Sequence, residues 1–212
     1  MTAQFLIVTD VDSTLIRDEV IELIADSLGA EARAHVADVT ERAMRGELDF
    51  SQSLAERLLV LEGVPVSVFD DVLASITVTD GVEEFVSEVH ERGGVIAAVS
   101  GGFHEILDPL AARLSIDHTR ANRLGVTDGQ LTGRSVGPVI DGAAKRDTLE
   151  SLRMNLGIDA QRTMAVGDGA NDMLMVEAAG VGVAFCAKPV LREAADVVIE
   201  QPDFRLLLPH LP

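Results

Sequence analysis

The chain has 212 residues, 47% of them hydrophobic, and its 17 Lys and Arg stand against 35 Asp and Glu, a formal net charge of −18. That apolar share at moderate charge belongs to a folded chain, not a disordered one, long enough for one full core and an inserted lobe. The acidity excludes sequence-independent nucleic-acid binding, which needs clustered cations, and disfavours an anionic membrane surface. Phosphate chemistry stays open, because a metal and a few local cations can offset a negative surface. Cys186 has no second cysteine to pair with, which suits a reducing cytoplasm. The opening Met1-Thr2-Ala3-Gln4 lacks the basic start of a signal peptide. The apolar runs Phe5–Val8 and Ala178–Ala187 fall short of the ~18 residues that a membrane span needs. A soluble, cytoplasmic protein is expected.

In chain order, short apolar runs appear at Phe5–Val8, Val95–Val99, Met164–Val166, Val181–Ala184 and Val197–Ile199. Their continuous rather than alternating hydrophobicity predicts parallel strands buried on both faces. Helical patterns separate them. Val82–Arg92 carries Val82, Phe85, Val86 and Val89 on one stripe, stops at Gly93-Gly94 and has Thr79 as its expected N-cap. His104–Leu114, Lys145–Leu156, Asp172–Ala179 and Val190–Ala195 follow. This order predicts an α/β fold with a doubly wound, Rossmann-like parallel sheet.

Two stretches break the alternation. Between Arg17 and Ile76 the pattern gives four helices, at Glu19–Leu28, Glu31–Met44, Asp49–Leu61 and Pro65–Ile76. They form a small inserted α-helical cap at 17–76, with the core made of 1–16 and 77–212. Asp128-Gly129 within Asn122–Val136 marks a tight hairpin.

Four groups of residues can carry chemistry. Asp10-Val11-Asp12-Ser13-Thr14 follows the first strand, and side chains two apart share a direction there. The carboxyl ends of parallel strands are where open α/β sheets place ligands, although Asp and Ser are also common turn residues. Gly167-Asp168-Gly169-Ala170-Asn171-Asp172 repeats the acidic pattern after another strand. Its hard oxygen donors suit Mg²⁺ better than zinc. Ser100-Gly101-Gly102 offers a hydroxyl and backbone N–H groups for an anion. Lys145 is one of two lysines in the chain; alone it reads as a solvated surface residue. Together the four supply a nucleophile, a metal site, anion-stabilising groups and a proton shuttle for phosphoryl transfer to a carboxylate.

The order DVDST, SGG, Lys145 and GDGAND resembles the haloacid dehalogenase superfamily of phosphatases. DVDSTLIRDEVIELIA, RGELDFSQSLAER, AAVSGGF, ANRL and AVGDGANDMLM with AFCAKP resemble its phosphoserine phosphatase family over nearly the whole chain. The resemblance implies Asp10 as nucleophile and Asp12 as general acid/base. It implies a Mg²⁺ ion on Asp10, the carbonyl of Asp12 and Asp168. Ser100, Gly101 and Gly102 would take the phosphate, Lys145 would neutralise it, Asn171 would lie against the substrate, and Asp172 would support Lys145 or the metal. In the cap it implies Glu19 facing the substrate ammonium and Arg57 gripping its carboxylate in two parallel bonds, with Met44 and Phe50 as apolar walls. Without the resemblance, Glu19 reads as a first-turn acid favoured by the helix dipole and Arg57 as a solvated arginine.

The implied activity is hydrolysis of phosphoserine, the closing step of serine biosynthesis, by a monomer or homodimer with a small-molecule substrate and no nucleic-acid or membrane partner. The alternatives are a capped phosphatase for another small phosphomonoester, a phosphotransferase to an alcohol such as homoserine, a receiver-type signalling module and a silent binding protein. His104 reads as a solvated helix-start histidine.

Overall fold

The computed structural model describes residues 3–45 and 47–212, and the side chain of Met44 is outside that description. Seven strands form one sheet: β1 (Leu6–Thr9), β2 (Val95–Phe103), β3 (His118–Thr127), β4 (Gln130–Val136), β5 (Thr163–Gly167), β6 (Val181–Phe185) and β7 (Val197–Ile199). Their spatial order is β4-β3-β2-β1-β5-β6-β7. All neighbours are parallel except β3 and β4. The doubly wound α/β reading is correct.

β1 shows why its run is continuous. Ile7 packs into one apolar cluster, Leu6 and Val8 into another on the opposite face, and all three are buried. Residues of β1 are flanked on both sides, Thr9 opposing Ala98 of β2 and Val166 of β5. The chain leaves β1 toward β2 on one side and later returns to β5 on the other. The carboxyl end of β1 therefore opens into the crevice where the strand order reverses.

Between β1 and β2 lie α1 (Val20–Asp26), α2 (Ala30–Met44), α3 (Phe50–Val60), α4 (Val68–Ser75) and α5 (Val82–Glu91). The first four match the four helices expected from the sequence. The loop between α3 and α4 is bridged to the start of β4, with Pro65 opposite Gln130. Gly63 N–H donates to Leu131 O at 2.8 Å, Leu131 N–H to Val64 O at 2.8 Å, and Val66 N–H to Gly129 O at 3.0 Å. These bonds satisfy the outward backbone groups of Leu131 at the start of the edge strand and tie the inserted helices to the core. The remaining helices are α6 (His104–Leu114), α7 (Gly142–Leu156), α8 (Met173–Ala178) and α9 (Pro189–Arg192). None of the described helices is long and apolar enough to cross a membrane.

Several local expectations change. Gly81 (φ +77°), not Thr79, occupies the N-cap position of α5, while the Thr79 hydroxyl donates to the Thr14 carbonyl at 2.7 Å. β2 continues through Ser100-Gly101-Gly102 to Phe103 instead of turning after Val99. β3 begins at His118, earlier than the hairpin pattern suggests, and its first residues pair in parallel with β2. The hairpin turn is at Asp128-Gly129, both left-handed. A short helical turn, Phe204–His210, had no sequence signal; Phe204 packs edge-on to Phe85.

His104 is not solvated. Its Nδ1 pairs with Asp108 Oδ1 at 2.8 Å and its Nε2 accepts Ala121 N–H at 3.0 Å, so it clamps α6 to β3.

Candidate active site

Asp10 is the first residue beyond β1, and its N–H donates to Val166 O of β5 at 2.8 Å. This bond extends the parallel ladder by one residue and aims the carboxylate past the sheet edge. The chain then turns within Val11–Leu15, where Asp12 is extended and Ser13 is left-handed (φ +55°). Asp10 and Asp12 line one cavity. It is this turn, rather than strand alternation, that brings them together.

Lys145 lies on the first turn of α7, whose N-cap Asp141 accepts Ala144 N–H at 2.9 Å. It is fully buried, against the solvated reading of a lone lysine. Its Nζ donates to Asp10 Oδ1 at 2.6 Å and to Asp172 Oδ1 at 2.7 Å. The other oxygen of Asp172 accepts Asp168 N–H at 3.1 Å and Gly169 N–H at 3.2 Å. Asp172 thus holds both the lysine and the loop that carries Asp168. A Cβ on Gly167 would collide with the Asp172 carboxylate, so this approach requires glycine.

Asp10, Asp168 and Asp172 each offer an oxygen within 4.8 Å of the others. Asp168 Oδ1 is buried without a hydrogen-bond partner, although such groups ordinarily find one. A buried, oxygen-only donor set with one unsatisfied carboxylate oxygen fits a hard divalent cation.

Ser100 is buried, and its Oγ accepts Gly102 N–H at 2.7 Å. Of the N–H groups expected to meet an anion, that of Gly102 is therefore already held by the hydroxyl, within β2. A Cβ on Gly102 would stand 3.0 Å from both Asp12 Oδ2 and Ser100 Oγ, so the backbone comes tight against the acid. Asn122 is a residue that sequence reasoning left without a role. Its Nδ2 donates to Gly101 O and its Oδ1 accepts Ile140 N–H, both at 2.8 Å. It joins the Ser100–Gly102 segment to the approach to α7.

The inserted helices close the cavity with Glu19, Phe50 and Arg57, and Asn171 joins from the core. Glu19 precedes α1 and accepts Ser13 Oγ–H at 2.6 Å. Arg57 is buried, not solvated, and its guanidinium donates to Thr40 Oγ1 at 3.0 Å and Ser53 O at 3.1 Å. Phe50 packs on the backbone of Gly101. The expectation for the Met44 side chain falls outside the described residues.

Burial and Asp172 push Asp10 up to about 7 against the pull of Lys145. Burial, Asp172 and Asp10 push Asp168 to about 8. Asp12 is held well above the usual carboxylate range by burial, Glu19 and Asp10. Burial opposes the charge on Lys145, but Asp10 and Asp172 override it and raise its pKa. Burial lowers the pKa of Arg57 against the pull of Glu19, Asp12 and Glu22. Such opposed shifts in one cleft are a feature of catalytic sites.

The sequence pattern of the haloacid dehalogenase-like hydrolases matches residues 7–177. A phosphoserine phosphatase from Streptococcus thermophilus is 47% identical over 93% of this chain and 91% of its own length. One from Mycobacterium tuberculosis is 46% identical but longer, and the chain spans 48% of it. Among solved structures, a phospho-aspartyl intermediate analogue of phosphoserine phosphatase superposes with a TM-score of 0.94 at 42% identity, covering 99% of this chain and 100% of that one. A substrate-bound phosphoserine phosphatase complex gives 0.94 at 41% identity, with both chains covered completely.

Proposed function

The chain belongs to the haloacid dehalogenase-like hydrolases and, within them, to the phosphoserine phosphatase family; from that premise we propose that it hydrolyses O-phospho-L-serine to L-serine and phosphate through an aspartyl-phosphate on Asp10. The observation that carries this is one cavity lined by two chemically distinct sets of residues. Asp10, Asp12 and Ser100 come from the strand ends and the turn after β1, and Glu19 and Arg57 from the inserted segment. The first set suits a phosphate, and the second, one acid and one guanidinium, suits a zwitterionic amino acid.

In the proposed reaction an oxygen of Asp10 attacks phosphorus in line as the bond to the serine oxygen breaks. Asp12, kept protonated by its surroundings, gives its proton to that leaving oxygen. The resulting carboxylate of Asp12 then takes a proton from water. The hydroxide attacks phosphorus, the bond to Asp10 breaks, and phosphate leaves. Lys145 holds Asp10 in place and offsets the negative charge of the phosphoryl group. Ser100 and the backbone N–H of Gly101 face its oxygens, and Gly102 lets the chain approach. A divalent cation, Mg²⁺ in this proposal, would sit on Asp10, the carbonyl of Asp12 and Asp168, and supply charge neutralisation at the phosphate. Asp172 supports Lys145 and the Asp168 loop.

We assign residues 17–76 the role of a cap on a core of 1–16 and 77–212. Glu19 receives the substrate ammonium and Arg57 its carboxylate, while Phe50 keeps water from the phosphoryl group. A receiver-type module would need neither these helices nor Asp12.

The test is phosphate release from O-phospho-L-serine with Mg²⁺, against an EDTA control, for the wild type and Asp10→Asn. Metal-dependent release by the wild type and its loss in the folded variant are expected. Substantial release by Asp10→Asn, with deamidation excluded by mass spectrometry, would remove Asp10 as nucleophile.

A further inference from the structure

We propose that Thr40 is a positioning residue that sets the orientation of the Arg57 guanidinium, and through it the selection of a substrate carrying a carboxylate. The inference rests on the reading in which Arg57 receives that carboxylate. Thr40 lies on α2, is 4% exposed and lines the same cavity as Arg57.

The bonding order of this pair follows from what each group can donate. Arginine has five N–H donors and no acceptor. The Thr40 oxygen must therefore accept from Arg57 Nη1, at 3.0 Å. Its own proton then goes to the Val36 carbonyl, 2.8 Å away and one turn back on α2. Arg57 Nε donates to Ser53 O of its own helix at 3.1 Å. Two N–H groups on different nitrogens are thus anchored, which fixes the plane of the guanidinium. The second hydrogen on Nη1 and both on Nη2 remain available. Among the described residues no carboxylate comes within ion-pair distance of this buried cation.

An arginine side chain carries large rotamer freedom, and a bidentate bond to a carboxylate requires a set fork geometry. Ser53 alone leaves the plane free to rotate about one contact. Thr40 supplies the second, from the neighbouring helix. The residue sits in mid-helix, where a hydroxyl bonding back to a carbonyl ordinarily brings no helical advantage. Here that back-bond turns the oxygen lone pair toward Arg57.

Steady-state kinetics on phosphoserine and on O-phosphoethanolamine, which keeps the phosphate and amine but lacks the carboxylate, test this. Thr40→Val preserves shape and removes the acceptor. It is expected to raise KM for phosphoserine about tenfold, with kcat and the kinetics on O-phosphoethanolamine changed less than about twofold. Thr40→Ser restores the wild-type KM, and Thr40→Val adds nothing in an Arg57→Ala background. Where Thr40→Val fails to fold, Thr40→Cys, whose sulfur is a weak acceptor, reads the same split. Equal losses on both substrates, or an undiminished effect in the Arg57→Ala background, would overturn the inference. An Arg57→Ala enzyme that keeps the full preference for phosphoserine would instead overturn the role of Arg57 itself.

Discussion

Lys145 Nζ and Asp10 Oδ1 are 2.6 Å apart although 135 positions separate the two residues in the chain. Both are buried, and a second carboxylate, Asp172, completes the pairing. A buried cation shared between two acids keeps an ionised carboxylate in place where burial alone would neutralise it. It also makes the site electrostatically dependent on one amine.

Removing that amine has two separable consequences. Lys145→Met is expected to reduce turnover by at least about 10²-fold, since a charge-stabilising group is lost. It also breaks a buried pair, which costs on the order of 3–5 kcal/mol. The stability loss is expected to be greater at pH 8 than at pH 5, because at pH 5 Asp10 escapes the penalty by holding its proton. Urea denaturation at the two pH values measures this. An equal loss at both would mean that Lys145 acts by packing alone.

Metal-free protein should lose stability as pH rises through neutrality. Asp10 and Asp168 are raised to about 7 and about 8 from an ordinary value of 3.8. Between these limits the folded state holds more protons than the unfolded state, so stability falls with rising pH, by up to about 1.4 kcal/mol per pH unit for each proton. A cation requires the ionised carboxylates. The rise in Tm on adding Mg²⁺ is therefore expected to be larger at pH 8 than at pH 6. Thermal melts in EDTA and in Mg²⁺ over pH 5.5–8.5 check both trends, and Asp168→Asn should flatten the metal-free slope. A metal-free Tm that climbs over this window would contradict the pKa assignments.

His104 separates structure from catalysis. Its ring joins Asp108 to the Ala121 N–H and does not line the cavity. His104→Leu strands a backbone donor and is expected to cost about 1–3 kcal/mol, while kcat/KM changes less than about twofold. Denaturation paired with kinetics decides it; a large kinetic loss in a stable variant would bring His104 into the reaction.

Legibility differed from residue to residue for physical reasons. The strand-end acids at 10, 12 and 168 stood out because polar residues interrupting a doubly buried apolar run are locally visible. Strand residues His118 and Thr119 were hidden because they are polar and incompletely buried at the start of β3, where β4 does not reach. Arg57 and Glu19 were recognisable only through family resemblance, since each has an ordinary helical explanation. Thr40 carried no signal at all: a threonine in mid-helix shows its direction only once α2 is packed on α3.

By itself the sequence determined the alternation of strands and helices, the inserted helical segment and the acidic strand ends, because burial period, glycine stops and turn chemistry act over a few residues. Only the tertiary structure decided that Lys145 is buried between Asp10 and Asp172, that the α3–α4 loop pairs with β4, and that Thr40 holds Arg57. These depend on which faces meet across more than a dozen residues of chain, and such meetings are set by the packing of the whole core rather than by any local pattern.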